Sequence, residues 1–190
     1  MAQGLYHYIK EAWKAPNKEA MKTRMIAWRA GESFVRVDKP IRLDKARALG
    51  YKAKNGFIVV RVRLNRGGRK RSRHTHGRKS RKQHSRLILK MNYRWIAEIR
   101  AARHYPTLEV LNSYPIGKDG KHCFFEVIML DANRPEIKAD RKINWIVSAK
   151  NKKRAERGLT SAAKRSRGMR SKSHTLKVRP SLRSWDRRGK

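Results

Sequence analysis

The sequence predicts an α+β fold with a small antiparallel sheet, a long basic loop and a basic C-terminal extension. Three observations support this prediction. Some segments repeat apolar residues at helical spacing, and others alternate apolar and polar residues as strands do. Residues 117–120, reading GKDG, have hairpin-turn chemistry between the apolar segments 108–116 and 121–130, which we expect to pair antiparallel. Residues 66–86 contain ten Lys or Arg among 21 residues and no acid. This segment is too strongly charged to form a core.

Two helices are expected at the start of the chain. The apolar side of the first carries Leu5, Tyr8, Ile9, Ala12 and Trp13. Pro16 ends this helix, and Asn17 can cap the next one, which stops at Gly31. The apolar edge of the second helix carries Met21, Met25 and Trp28. Met and Trp at helical spacing are typical of core packing, so we expect this edge to face the body.

The clearest strand covers residues 57–64, after a short strand at 33–37 and a short helix at 44–49 that stops at Gly50. Arg61 and Arg63 alternate with apolar residues in this strand. One face can therefore enter the core while the other presents guanidinium groups. We expect the binding surface to begin here.

A longer helix is expected after the basic loop, running to about His104, because Pro106 prevents its continuation. Its apolar side is marked by Ile88, Met91, Trp95, Ile99 and Ala102. One more short helix is expected around residues 143–147. Residues 160–167 can form one or two helical turns capped by Thr160 or Ser161.

The 190 residues have room for one modest core and long extensions. We expect an α+β body at 1–149, with an RNA-binding loop inserted at 66–86, and an RNA-binding extension at 150–190. The extension carries 16 Lys or Arg in 41 residues and little apolar area. Since ordering costs about 1 to 2 kcal/mol per residue, we expect the extension alone to be largely disordered.

The charge of the chain indicates a polyanionic partner. With 51 basic and 14 acidic residues, the net charge is +37, which is typical of a nucleic-acid binder. No apolar run approaches the roughly 18 to 20 residues that span a bilayer, and residues 1–10 do not resemble a secretory signal. We therefore expect no membrane association and a cytoplasmic protein.

Arg outnumbers Lys in the loop, which favours forked contacts to phosphate oxygens, and glycines let the backbone approach its partner. The candidate RNA-binding residues lie before, within and after this loop. They are Lys52, Lys54, Arg61, Arg63, Arg66, Gly67, Gly68, Arg69, Lys70, Arg71, Arg73, His74, His76, Arg78, Lys79, Arg81, Lys82, His84, Arg86, Lys153, Arg154, Arg157, Lys164, Arg165, Arg167, Arg170 and Lys172.

No arrangement of residues predicts catalysis, a metal or a cofactor. His74 and His76 lack a third ligand, and GGRKR at 67–71 lacks the glycine spacing of a phosphate-binding loop. The acids are scattered, and Glu109, Asp119 and Glu126 are explained as hairpin or surface charges. The single Cys123 excludes an internal disulfide and is expected to be a small buried hydrophobe in a strand. We expect a non-enzyme without a small-molecule substrate.

Seven segments together carry a family resemblance: GLYHYIKEAWK at 4–14, RLDKARALGYKAKNG at 42–56, GGRKR at 67–71, HTH at 74–76, LEVLNSY at 108–114, FFEVI at 124–128 and RGLTSAAKRSRG at 157–168. They closely resemble the ribosomal protein fifteen family, e type, of archaeal and eukaryotic large subunits. The resemblance covers nearly the whole chain, and the HTH signature is more archaeal than eukaryotic. Pro115 and Ala163 depart from the family pattern, which has Trp and commonly Gly there.

The resemblance implies a small antiparallel sheet with helices on both faces. It also implies a structural constituent of the large ribosomal subunit that binds and stabilises large-subunit ribosomal RNA beside neighbouring ribosomal proteins. The alternative is a DNA-compacting nucleoid or chromatin-like protein, which would also be basic and non-enzymatic. Duplex DNA binding alone does not require so long a loop rich in Gly and His, so we favour the ribosomal role.

Overall fold

The computed structural model describes residues 3–70, 86–87 and 89–170. In this part of the chain, helices cover both faces of one four-stranded sheet. The elements in chain order are α1 (Leu5–Ala12), α2 (Lys18–Ala30), β1 (Phe34–Val37), α3 (Leu43–Ala48), β2 (Phe57–Asn65), β3 (Arg69–Lys70), β4 (Arg86–Leu87), α4 (Tyr93–His104), β5 (Leu108–Lys118), β6 (His122–Asp131), α5 (Pro135–Lys138), the 3-10 helices Asn144–Val147 and Ala149–Asn151, and α6 (Ser161–Ser166).

The sheet has the strand order β1-β2-β6-β5, and all its neighbouring strands are antiparallel. Its two central strands, β2 and β6, pair along nine positions from Phe57 opposite Leu130 to Asn65 opposite His122. A second, two-stranded sheet forms where β3 pairs with β4. This short ladder brings together the two described ends of the basic loop.

Helices cover both faces of the four-stranded sheet. On one face, Ala97 and Ala101 of α4 pack against Phe125 and Val127 of β6. On the other face, Trp28 of α2 lies beside Phe124, with ring centroids 5.3 Å apart. Alternate residues of β6 thus enter two separate hydrophobic clusters, as the period of a strand dictates. The predicted α+β class and its antiparallel sheet are confirmed.

Asparagine caps mark the starts of α2 and α4. Asn17 accepts hydrogen bonds from the backbone N–H groups of Glu19 and Ala20 at 2.9 and 3.1 Å, as expected for the start of α2. Asn92 accepts from the N–H of Trp95 at 2.8 Å and starts α4. The prediction that Met91 belongs to this helix is therefore wrong, because the capping side chain stands after it. Ile88, which the sequence also placed in the helix, lies outside the described residues.

The hairpin between β5 and β6 is present, but its turn is residues 119–121, so it begins two residues later than expected. β5 continues to Lys118, and β6 begins at His122. The Asp119 carboxylate accepts from the N–H groups of Lys121 and His122 at 2.8 and 2.5 Å, which fixes the turn. Gly117 instead lies within β5, at a register irregularity after Pro115.

Residues 150–170 belong to the body. Ala155 is part of the cluster between α4 and the sheet, and Ala162 and Ala163 of α6 pack against Trp95. The expected disorder from residue 150 onward is therefore wrong for this segment. Small alanine side chains allow close packing, and Trp95 Nε1 donates to the Ala155 carbonyl at 2.7 Å. The predicted helical turn with Thr160 as its cap is confirmed.

The first helix differs from the other α-helices because none of its residues is buried. Its apolar side is largely open to solvent, with Leu5 66% and Tyr8 60% exposed. None of the helices in the described part of the chain has the length and apolar character that crossing a bilayer requires.

Candidate nucleic-acid interface

The base of the basic loop is hydrogen-bonded to the first residue of α4. The N–H of Gly67 donates to the Tyr93 hydroxyl oxygen at 2.7 Å, and that hydroxyl donates to the Gly67 carbonyl at 3.0 Å. The β3–β4 ladder then pairs Arg69 with Leu87 and Lys70 with Arg86. The loop therefore leaves and re-enters the body beside the N-terminus of this helix.

The same end of α4 holds the second basic segment. The backbone N–H of Asn92 donates to Ser166 Oγ at 3.0 Å, and its side-chain amide donates to the Ala162 carbonyl at 2.9 Å. Asn92 therefore caps α4 and positions α6 at once. Since Asn92 and Tyr93 are neighbours, the base of the loop and α6 meet at one end of the body.

Five of the candidate cations between residues 150 and 170 are exposed. They are Lys153, Arg157, Lys164, Arg165 and Arg170. Lys153 has a positive φ of 53°, and its N–H donates to the Glu109 carboxylate at 3.0 Å, so the chain turns sharply there. Arg170 donates to the Ser161 hydroxyl across α6.

Arg154 and Arg167, by contrast, point into the protein. Arg154 Nη1 donates to the carbonyls of Val110 and Leu111, both at 2.7 Å. Arg167 is only 4% exposed and donates to the Gly158 carbonyl at 2.9 Å. Burial lowers the pKa of Arg154, and Glu98 opposes this effect. Arg154 therefore holds residues 150–170 against β5, and Arg167 links the end of α6 to Gly158 within that segment.

Arg61 and Arg63 do not form the open guanidinium face that the strand pattern predicted. The Arg61 guanidinium lies 5.3 Å from the ring centroid of Trp28 in α2, and Arg63 donates to the carbonyl of Arg29 at the end of the same helix. The prediction is corrected because α2 covers this face of the sheet. Arg66, at the end of the strand, is exposed and donates to the Asp119 carbonyl at 2.6 Å.

Lys52 and Lys54 share one acid. Their ammonium groups lie 2.6 and 2.8 Å from the same Asp140 carboxylate oxygen, and Lys54 also donates to the Glu136 carbonyl at 3.0 Å. Hydrogen bonds from Lys52 and then Lys54 hold the pKa of Asp140 below its usual range. Two cations against one carboxylate leave a net positive charge on this part of the surface.

Glu126 is a buried acid that sequence reasoning placed among the surface charges. Its side chain is fully buried and accepts from the N–H of Ile41 at 3.2 Å. Burial raises the pKa of Glu126, although the nearby Tyr114 hydroxyl opposes the rise. The pKa of Tyr114 is also raised, first by burial and then by Glu126. The earlier interpretation is wrong because β6 is a central strand covered on both faces.

A second buried acid, Glu98, links α4 to β5 and to the cap of α6. Ser113 and Thr160 both donate their hydroxyl hydrogens to its carboxylate. Arg94 joins the network, with Nε donating to Ser113 Oγ at 2.8 Å and Nη2 to Asn112 at 2.6 Å. Burial raises the pKa of Glu98. The sequence contained a signal for this buried acid, because Glu98 lies on the otherwise apolar face of α4 that packs on the sheet.

The remaining candidates lie outside the described residues. They are Arg71, Arg73, His74, His76, Arg78, Lys79, Arg81, Lys82, His84 and Lys172. For Arg69, Lys70 and Arg86, the structure describes the backbone of β3 and β4. Within residues 3–70, 86–87 and 89–170, no group of three or more His, Cys, Asp or Glu side chains could hold a metal ion.

Comparisons with known proteins show the family of this chain. The family described as Ribosomal L15 matches residues 4–185. A protein named large ribosomal subunit protein eL15, from Methanocella arvoryzae, is 47% identical over 196 aligned positions that cover 100% of both chains. The protein of the same name from Methanospirillum hungatei JF-1 is 46% identical, again over 100% of both chains. With a match over nearly its whole length and similar full-length relatives, the chain belongs to the Ribosomal L15 family, e type.

Proposed function

We propose that this chain is a structural constituent of the large ribosomal subunit, in the cytoplasm, where it binds and stabilises large-subunit ribosomal RNA beside neighbouring ribosomal proteins. Membership of a ribosomal protein family supports this role and a non-enzymatic protein. Binding takes place through the basic loop at 66–86 and through the basic extension that begins at 150.

The observation that carries the proposal is the meeting of both basic segments at the N-terminus of α4. Tyr93 holds Gly67 at the base of the loop, and Asn92 holds Ser166 and Ala162 in α6. The base of the loop and α6 of the extension are therefore held at the same end of the body. A cationic surface at one end can approach closely packed RNA helices, whereas cations spread evenly over the body could not.

Electrostatics supplies the mechanism. Each Lys or Arg that neutralises a phosphate releases condensed counterions, which favours binding and makes it dependent on salt. Cations placed between two RNA helices also reduce the repulsion between their phosphates. The body contributes by fixing where the cations begin, because a positioned cation loses less side-chain and backbone entropy on binding.

The candidate residues divide into two roles in this proposal. The loop cations and the exposed Lys164, Arg165 and Arg170 contact phosphate. The inward-pointing Arg154 holds the extension to β5 through the carbonyls of Val110 and Leu111, and Arg167 holds the extension together through the carbonyl of Gly158. Removing either of these two changes the surface indirectly, by releasing the extension from β5 or by loosening its internal packing.

Gradient sedimentation of cell extracts tests the proposal. The tagged chain should sediment with large ribosomal subunits at moderate salt and leave them only when salt is raised. Association with chromosomal DNA in place of large subunits would contradict the proposal and support the DNA-compacting alternative. A variant carrying Lys164→Gln, Arg165→Gln and Arg170→Gln should leave the subunit at lower salt. A matched variant with Lys10→Gln, Lys14→Gln and Lys18→Gln, on α1, its connection to α2 and the first position of α2, should leave at nearly the parent's salt concentration.

A further inference from the structure

A groove lies away from the basic loop, between α3 and the 3-10 helix Asn144–Val147. It encloses about 480 Å³. Leu49, Tyr51 and Leu111 contribute to its lining, and Trp145 forms part of its wall. Small-molecule sites in proteins have volumes of about 300 to 1,000 Å³ and mix apolar walls with a few polar groups. The groove therefore has the size to take one ligand of drug or nucleotide dimensions.

Trp145 is presented as a stacking platform. Its side chain is 41% exposed, although its neighbours Ile143 and Ile146 are buried in the body. The Arg154 guanidinium lies 4.9 Å from the centroid of the indole ring. Because Arg154 is itself held by the carbonyls of Val110 and Leu111, it fixes the indole in place. A pre-positioned aromatic ring loses little entropy when a second flat group stacks on it.

Three cations line the same groove as this ring. Arg47, Lys52 and Lys142 all line the groove and are all exposed. Among the residues that the structure describes, no acid lines the groove. Asp140 binds Lys52 from outside the lining, but it also binds Lys54, so these three side chains together remain positive. The groove thus combines one exposed aromatic ring with positive charge.

We propose that this groove binds one unpaired nucleotide of RNA, whose base stacks on Trp145 and whose phosphate contacts Arg47 and Lys142. The chemistry selects this ligand, because proteins bind single-stranded nucleic acid with aromatic rings for the bases and cations for the backbone. Paired bases are already stacked in a duplex, so they cannot reach the indole. The inference rests on the proposed function and adds a site outside the basic loop and extension.

Photo-crosslinking of the full-length protein tests the site locally. The probes are an oligouridylate and the same strand annealed to oligoadenylate. After irradiation and digestion with trypsin, the peptide 143–150, which contains Trp145, should carry a uridine adduct with the single strand. The annealed strand should give about a tenth of that yield or less, because its bases are not free to stack.

Tryptophan fluorescence gives a second readout. Oligouridylate should quench Trp145, measured as the difference between the parent and Trp145→Leu. Replacing Arg47 and Lys142 with Gln should shift the midpoint of this quenching to higher oligonucleotide concentration and flatten its salt slope by about 1.4, from about 0.7 for each contact. Trp13→Leu is the matched control, because an arginine, Arg42, also lies 4.9 Å from the ring of Trp13, outside the groove. This control should retain the full adduct on peptide 143–150.

Two results would overturn the site. One is the absence of the adduct from peptide 143–150 in the parent, and the other is equal crosslinking by the single strand and the duplex. If the parent chain still binds ribosomal RNA and sediments with large subunits, these results remove the nucleotide groove and leave the proposed function standing. If the chain does not bind ribosomal RNA at all, the proposed function fails first.

Discussion

Glu98 shows how single residues shape this protein. A carboxylate with no exposed surface is costly unless it is hydrogen-bonded, and here two hydroxyl groups donate to it. These donors, Ser113 and Thr160, lie on β5 and at the cap of α6. The buried acid therefore joins α4, β5 and α6. Its loss should destabilise the contact between the basic extension and the body.

We predict that Glu98→Ala lowers the free energy of unfolding by about 3 kcal/mol, because it leaves the hydrogens of two buried hydroxyl groups without an acceptor. Glu98→Gln should cost much less, since the amide can accept from Ser113 and donate to Thr160. Urea denaturation of the two variants and the parent measures the difference. Equal losses for Ala and Gln would show that the hydrogen bonds do not matter.

The pH dependence of stability provides a separate test of Glu98. Burial raises its pKa above the ordinary value of 4.5. The folded protein therefore retains a proton that the unfolded chain releases, and stability must fall as the pH rises above about 4.5. Glu98→Gln should make this fall shallower between about pH 4.5 and pH 7. Glu126, whose pKa is also raised, keeps part of the fall in the variant. Parallel curves for parent and variant would contradict the prediction.

Trp95 has a larger packing role. It is 7% exposed, packs against α6 and donates to the Ala155 carbonyl. Trp95→Ala should therefore cost about 3 to 5 kcal/mol of unfolding free energy. Trp95→Phe keeps an aromatic ring but loses the hydrogen bond, so it should cost less. Denaturant titration decides this, and a loss below about 1 kcal/mol for Ala would show that the ring is not part of the core.

At the scale of elements, the turn before β2 depends on a glycine. Gly56 has a φ of +88°, and an added Cβ would lie 2.6 Å from Cγ1 of Ile137 in α5. Gly56→Ala should therefore cost about 2 kcal/mol or more, from backbone strain and the close contact. Gly31→Ala is the control, since its φ is −75° and the nearest atom is 3.6 Å away. It should be neutral or slightly stabilising. Thermal melts of both variants test the contrast.

The segment from 150 to 170 gives a second prediction for elements. Trypsin should cut slowly after Arg154 and Arg167 in the free protein, because both side chains are held inside by backbone carbonyls. Cleavage after Lys14, whose side chain is 64% exposed, should be fast by comparison. Mass spectrometry of a short digestion measures both rates. Equal rates would mean that residues 150–170 do not stay packed on the body.

At the scale of the whole molecule, the net charge of +37 should make the affinity for ribosomal RNA strongly dependent on salt. If Arg69, Lys70, Arg71 and Arg73 each touch phosphate, replacing all four with Gln should flatten the log-log salt slope of ribosomal RNA binding by about 3 to 4. Binding measured at four or more salt concentrations tests this, with the variant of Lys10, Lys14 and Lys18 as the control. Identical slopes for the parent and the loop variant would show that the loop is not the electrostatic anchor.

The sequence by itself determined the local features of this protein. The Asn17 cap, the strand alternation in β2, the pairing of β5 with β6 and the helical turn capped by Thr160 depend on residues close together in the chain. Short-range rules describe such features well. The excess of positive charge and its two clusters also depend on composition alone, and they indicated a polyanionic partner without any knowledge of the fold.

Only the tertiary structure decided which polar residues are internal. Arg61, Arg154 and Glu126 read as surface residues in the sequence, but helices and strands distant in the chain cover them. The same holds for the order of residues 150–170, which have little apolar area of their own and are stabilised by Trp95 and the sheet. The groups that cover these side chains come from other segments of the chain. Burial therefore depends on the assembled fold, and a local sequence pattern cannot predict it.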